Sequence, residues 1–111
     1  MFKVIIIIFF NLTIVFSQNI NELFDNGNEF YSQNNYKEAI SNYEKILENG
    51  FFSEDLFLNL GNSYFQESNF GQARWSYEMG LKLNPMNTDL QNNSNINKSV
   101  SYTHLTLPTT G

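Results

Sequence analysis

The chain has 111 residues, enough for one small domain, and carries 11 acidic against 6 basic side chains for a formal net charge of −5. So acidic a surface disfavours nucleic acid, whose phosphates are neutralised by Lys and Arg, and anionic lipid for the same reason. Without cysteine there is no disulfide or thiolate metal site, and a single histidine, His104, supplies neither a zinc cluster nor a catalytic triad, so no metal or cofactor is expected.

Residues 1–17 read as a signal peptide. Lys3 provides the positive start, Val4 to Phe16 are apolar except at Asn11 and Thr13, and Val15 and Ser17 stand at the −3 and −1 places of a cleavage site. A helix over that apolar run rises about 20 Å, short of the roughly 30 Å hydrocarbon core of a bilayer. Cleavage is therefore expected over a retained anchor, and the mature chain is expected to be exported.

The body repeats. Gly27, Ala39 and Tyr43 return 34 positions later as Gly61, Ala73 and Tyr77, without a gap. Asn28 matches Asn62, Asn35 matches Asn69, and Phe30 is answered by Tyr64. The first unit spans residues 20–53 and the second 54–87. In the first, Ile20, Leu23, Phe24, Gly27, Phe30 and Tyr31 form one helical face. Asn35 with Glu38 forms a capping box for a second helix whose stripe is Ala39, Ile40, Tyr43, Ile46 and Leu47, and Asn49-Gly50 ends it. In the second unit Ser53 caps a helix opening with Glu54 and Asp55, and its stripe is Phe57, Leu58, Leu60, Gly61, Tyr64 and Phe65. Asn69 with Gln72 starts its partner, carrying Ala73, Tyr77 and Leu81, and Asn84-Pro85 closes the hairpin. Gly27 and Gly61 fall mid-helix, at a cost of about 1 kcal/mol against alanine. The expected return is close approach of a neighbouring helix, with Ala39 or Ala73 opposite and Tyr43 and Tyr77 filling the space between hairpins.

Residues 88–99, with Asn87 or Thr88 as cap and Leu90 and Ile96 as apolar positions, read as a polar-faced helix that shields the last hairpin. At residues 100–111 the composition turns to Ser, Thr, Leu and Pro and loses its period, so this stretch reads as a disordered or artefactual tail. The fold class predicted is all-α, a short α-solenoid of two helix hairpins plus a capping helix.

Leu23, Gly27, Phe30, Ala39 and Tyr43, and then Phe57, Leu60, Gly61, Tyr64, Ala73, Tyr77 and Pro85, resemble the tetratricopeptide repeat (TPR) pattern. Ile46 and Gly80 depart from it at a usual Ala, Asn26 at a usual Leu and Phe51 at a usual Pro. The resemblance implies a protein-protein interaction module, a scaffold or adaptor and not an enzyme, whose first helices line a concave groove. No Lys or Arg falls on the two first helices, whereas Lys37, Lys45, Arg74 and Lys82 all fall on the second ones. The implied groove is acidic and aromatic and suits a neutral or basic peptide segment, with Phe24, Asn28, Tyr31, Leu58, Asn62 and Phe65 as its contacts. One TPR subtype grips C-terminal carboxylates through Lys and Asn. Asn28 and Asn59 stand at two of its positions, but Phe24, Asp89 and Asn93 fill the basic places, so no such clamp is implied.

A signal peptide, two units starting at once and Leu83-Asn84-Pro85 before an Asn-rich helix are also similar to the TPR component of Bacteroidetes aerotolerance (Bat) operons. That resemblance implies the periplasm or cell envelope, envelope or membrane proteins as partners, and anchoring through segments beyond residue 100. The competing reading is the docking arm of an enzyme whose catalytic part lies outside these residues. No G-x-S-x-G, phosphate-binding loop or His/Glu zinc motif occurs. Glu22, Asp25, Glu29, Glu54, Asp55 and Glu67 read as solvated-face acids before they read as a catalytic pair.

Overall fold

Local signals cut the chain into helices at the places the residues dictate. In the computed structural model, which describes residues 19–106 and the side chains of residues 19–103, these are α1 (19–32), α2 (Tyr36–Glu48), α3 (Glu54–Gln66), α4 (Phe70–Leu83) and α5 (Thr88–Thr106). The predicted leader over residues 1–17 and residues 107–111 of the predicted tail lie outside the described residues. Gly50 adopts φ +81°, the left-handed conformation in which glycine carries no steric penalty, and ends α2. Ser53 caps α3, its Oγ accepting from the Leu56 N–H at 3.1 Å. The extended backbone of Asn84, before Pro85, stops α4. Asn34 and Ser68, at matching places in the two units, both turn at φ 60°.

One predicted cap is not made. Asn35 starts α2 but its side chain takes no capping bond, so the Asn35–Glu38 box is absent; the Asn34 side chain instead accepts from the Tyr36 hydroxyl at 2.9 Å. Its counterpart Asn69 does accept from the Gln72 N–H, at a long 3.4 Å.

The fold is an all-α helical repeat with a solenoid-like order: α2 packs on α3, α3 on α4, and α5 on both α3 and α4. Leu23, Ala39, Tyr43, Ile46, Leu56, Leu60, Tyr64, Ala73, Tyr77 and Leu90 make one continuous core. All the repeat-signature residues are buried: Gly27, Ala39, Tyr43, Gly61, Ala73 and Tyr77. The atoms nearest each of these glycines belong to a tyrosine ring. A Cβ on Gly27 would lie 2.6 Å from Tyr43 Cε1, and one on Gly61 2.5 Å from Tyr77 Cε1. Each tyrosine ring thus packs against the first helix of its own hairpin, and the missing side chain is what admits the ring.

The last helix repeats the placement of α3. Asn87 Oδ1 accepts from the Leu90 N–H at 3.0 Å as Ser53 does for Leu56, and Leu90 is fully buried as Leu56 is. Gln91, Asn95 and Lys98 are exposed where α3 has buried Phe57, Gly61 and Tyr64, so the outer face of α5 is polar. α5 continues past residue 99, where its end was expected, to Thr106. Neither Gly nor Pro interrupts it over residues 88–106, and Thr103 Oγ1 bonds back to the Ser99 carbonyl at 2.9 Å. Among the described residues no helix is long and apolar enough to cross a membrane.

Candidate functional site

The first-type helices α1, α3 and α5 are joined by a polar link that occurs twice. Tyr43 donates its phenol O–H to Asn28 Oδ1 at 2.7 Å, and Asn59 Nδ2 donates to the same oxygen at 3.1 Å. One unit later Tyr77 donates to Asn62 Oδ1 at 2.7 Å and Asn93 Nδ2 at 2.9 Å. A single amide oxygen therefore fixes both the second helix of its own hairpin and the first helix of the next element. Burial pushes the Tyr43 phenol up to about 12 and drives that of Tyr77 in the same direction, so both stay protonated donors at neutral pH.

Over the second of these links opens a cleft of about 250 Å³, lined by Tyr31, Asn62, Phe65, Gln66, Tyr77, Asn93 and Ile96. None of these side chains is formally charged. Aromatic and aliphatic surface alternates with amide groups, a surface able to stack on apolar side chains and to exchange hydrogen bonds with a peptide backbone. Ile96 keeps 53% of its surface in solvent, an exposed apolar side chain in the Asn-rich part of α5.

Of the predicted groove contacts the structure brings Tyr31, Asn62 and Phe65 together here. Phe24, Asn28 and Leu58 do not line the cleft. The Phe24 ring sits half-buried against Tyr43 at 6.2 Å, Leu58 packs half-buried against the core, and Asn28 serves the first polar link. Tyr31 and Phe65 each meet an aromatic ring of the following helix edge-on at 5.7 Å, Tyr36 and Phe70 respectively. Gln66, Tyr77, Asn93 and Ile96 were not anticipated as lining residues. The signal for Asn93 was present: Asn59 and Asn93 are separated by the same 34 positions as Gly27 and Gly61, and so are Leu56 and Leu90.

None of the acids predicted for the groove lines this cleft. Glu22, Asp25 and Glu29 of α1 are exposed, as are Asp55 and Glu67, while Glu54 Oε1 accepts from Asn87 Nδ2 at 3.0 Å and so ties α3 to the loop before α5. Lys98 breaks the pattern of first helices without basic residues, because α5 occupies a first-helix place.

Fold and cleft together define a helical-repeat protein with an open, neutral, amide-rich groove. No protein-family model matches the chain, and no curated protein matches it.

Proposed function

We propose that this chain is an exported TPR-type interaction module that holds an extended, neutral or basic segment of another protein along the face of α1, α3 and α5. The observation that carries the reading is the uncharged cleft of Tyr31, Asn62, Phe65, Asn93 and Ile96, in a chain of net charge −5. Neutral lining favours apolar and backbone contacts, and the acidic balance of the whole chain favours a basic flank over an acidic one. The amide nitrogens of Asn28 and Asn62 take no partner among the described residues and are donors for a ligand's carbonyls. The leader read from residues 1–17 supports a periplasmic or envelope setting, where the natural partners would be envelope or membrane proteins. This is the setting of the TPR component of Bacteroidetes aerotolerance operons, which the sequence resembles.

Replacing Asn28 and Asn62 does not test the groove cleanly, because their oxygens hold Tyr43 and Tyr77. Ile96 is the better probe, since it lines the cleft with half its surface free. Fluorescence polarisation with labelled neutral, basic and acidic peptides should show binding of the first two, weakened about tenfold or more by Ile96→Lys with unchanged helicity. A preference for acidic peptides, or equal binding by Ile96→Lys, rejects the proposal.

A further inference from the structure

A second cleft, of about 260 Å³, opens between the second-type helices α2 and α4. Its floor is Leu60 and Tyr64 of α3, both buried, and its walls include Leu47 of α2 and Trp75 of α4. Trp75 remains 44% exposed. It meets Phe57 edge-on at 5.9 Å, and Phe57 in turn stacks on Phe52 at 6.2 Å with the rings 10° from parallel. Phe52 is 61% exposed, so an aromatic row runs from the cleft to the loop between the hairpins.

The charge in this cleft is of one sign. Glu44 and Glu48 line it, and no Lys or Arg does. Tyr64 donates its hydroxyl to Glu44 Oε1, which fixes that carboxylate at the floor. Arg74, the neighbour of Trp75 in sequence, is occupied by Glu78 at 2.8 Å. Paired carboxylates beside an exposed indole and an aliphatic wall match one kind of side chain. A cation on an apolar stem can lay its stem on Leu47, its charge over Trp75 and its N–H groups on Glu44 and Glu48. Arg suits the site better than Lys, because a planar guanidinium both stacks and bonds carboxylates in pairs.

We propose that the α2–α4 cleft is a second docking site, separate from the α1–α3–α5 groove, for a segment of another protein that presents an arginine beside an apolar residue. The arginine enters between Glu44, Glu48 and Trp75, and the apolar residue covers Phe52, the exposed far end of the aromatic row. Two faces of one small repeat would then hold two different segments, as a scaffold requires.

Trp75 is the single tryptophan of the chain, so its emission reports on this cleft directly. The probe is acetyl-Ala-Leu-Arg-Leu-Ala-amide, with the same peptide carrying Glu in place of Arg as its counterpart. The arginine peptide should shift Trp75 emission saturably, and the glutamate peptide should bind at least about fivefold more weakly. Glu44→Gln with Glu48→Gln should weaken the arginine peptide about tenfold while retaining an oxygen acceptor for Tyr64, with helicity unchanged. Ile96→Lys should leave this titration unaltered, which separates the site from the groove. No saturable shift, equal response to both peptides, or indifference to the double substitution overturns the proposal. So does an emission change that follows protein concentration without peptide, since a second copy would then cover the cleft.

Discussion

At Gly27 and Gly61 the repeat depends on an atom that is absent. The ring facing each glycine cannot swing away, because Tyr43 and Tyr77 are buried and their hydroxyls are held by Asn28 and Asn62. Alanine there gains about 1 kcal/mol of helix propensity. It also inserts a methyl into a packed site, which costs about 1–3 kcal/mol. Gly27→Ala and Gly61→Ala should therefore lower the urea midpoint, whereas Gly71→Ala, with nothing within 4 Å of the new Cβ, should raise it. The same tyrosines make stability depend on alkali. Their folded-state values are raised above the ordinary 10.0, so their contribution is intact below pH 10 and is lost as pH climbs through about 12 for Tyr43. Tyr64 shifts the same way, through burial first and then the Glu44 carboxylate. Circular dichroism should show helix loss beginning above pH 10. Tyr43→Phe with Tyr77→Phe should be less stable at neutral pH and lose less of that stability in alkali; an unchanged alkaline transition would contradict the assignment.

The five described helices are not equally well held. α3 is sealed by Leu56, Phe57, Leu60, Gly61, Ser63 and Tyr64, all buried, and Ser63 satisfies its hydroxyl on the Asn59 carbonyl at 2.7 Å. At matching places α5 buries Leu90, Ser94 and Asn97, and there Ser94 Oγ and Asn97 Oδ1 have no hydrogen-bond partner. A buried polar atom left unpaired costs about 1–3 kcal/mol, so α5 is less firmly docked than α3. Ser94→Ala should stabilise the chain by about 1 kcal/mol and slow amide exchange within α5. Faster exchange there in the variant would mean that the hydroxyl has a partner in solution. Because Asn93 and Ile96 belong to α5, the firmness of this helix also decides how well the groove is formed before anything binds.

The described residues form two hairpins and one further helix, fewer than the three repeats that usually make a solenoid stable. Exposed apolar side chains gather at the joins between elements: Phe51 and Phe52 before α3, Leu83 and Met86 before α5. A chain beginning at Gln18 should melt below about 45 °C, at the bottom of the usual range for small domains, or associate as concentration rises. Calorimetry combined with sedimentation checks this, and a sharp monomeric transition above about 65 °C would show that the helix links are stronger than their count suggests.

Helix positions, the phase of the repeat and most of the apolar core follow from the sequence alone, because amphipathic period, Gly50, Ser53 and Pro85 act within a few residues of themselves; buried Leu56 lay outside the predicted stripe of α3. So does the all-α class, since no described segment carries a competing period. What the tertiary structure decided is which groups face each other across a gap in sequence. Only there does the Tyr43 ring come to lie against Gly27, the Asn28 oxygen accept from both Tyr43 and Asn59, and Ile96 join Tyr31 and Phe65 in one cleft. The physical reason is that a side chain's partner across a helix-helix interface depends on the rotation and separation of both helices. Those are fixed by the packed core as a unit and leave no local mark on either stretch of chain.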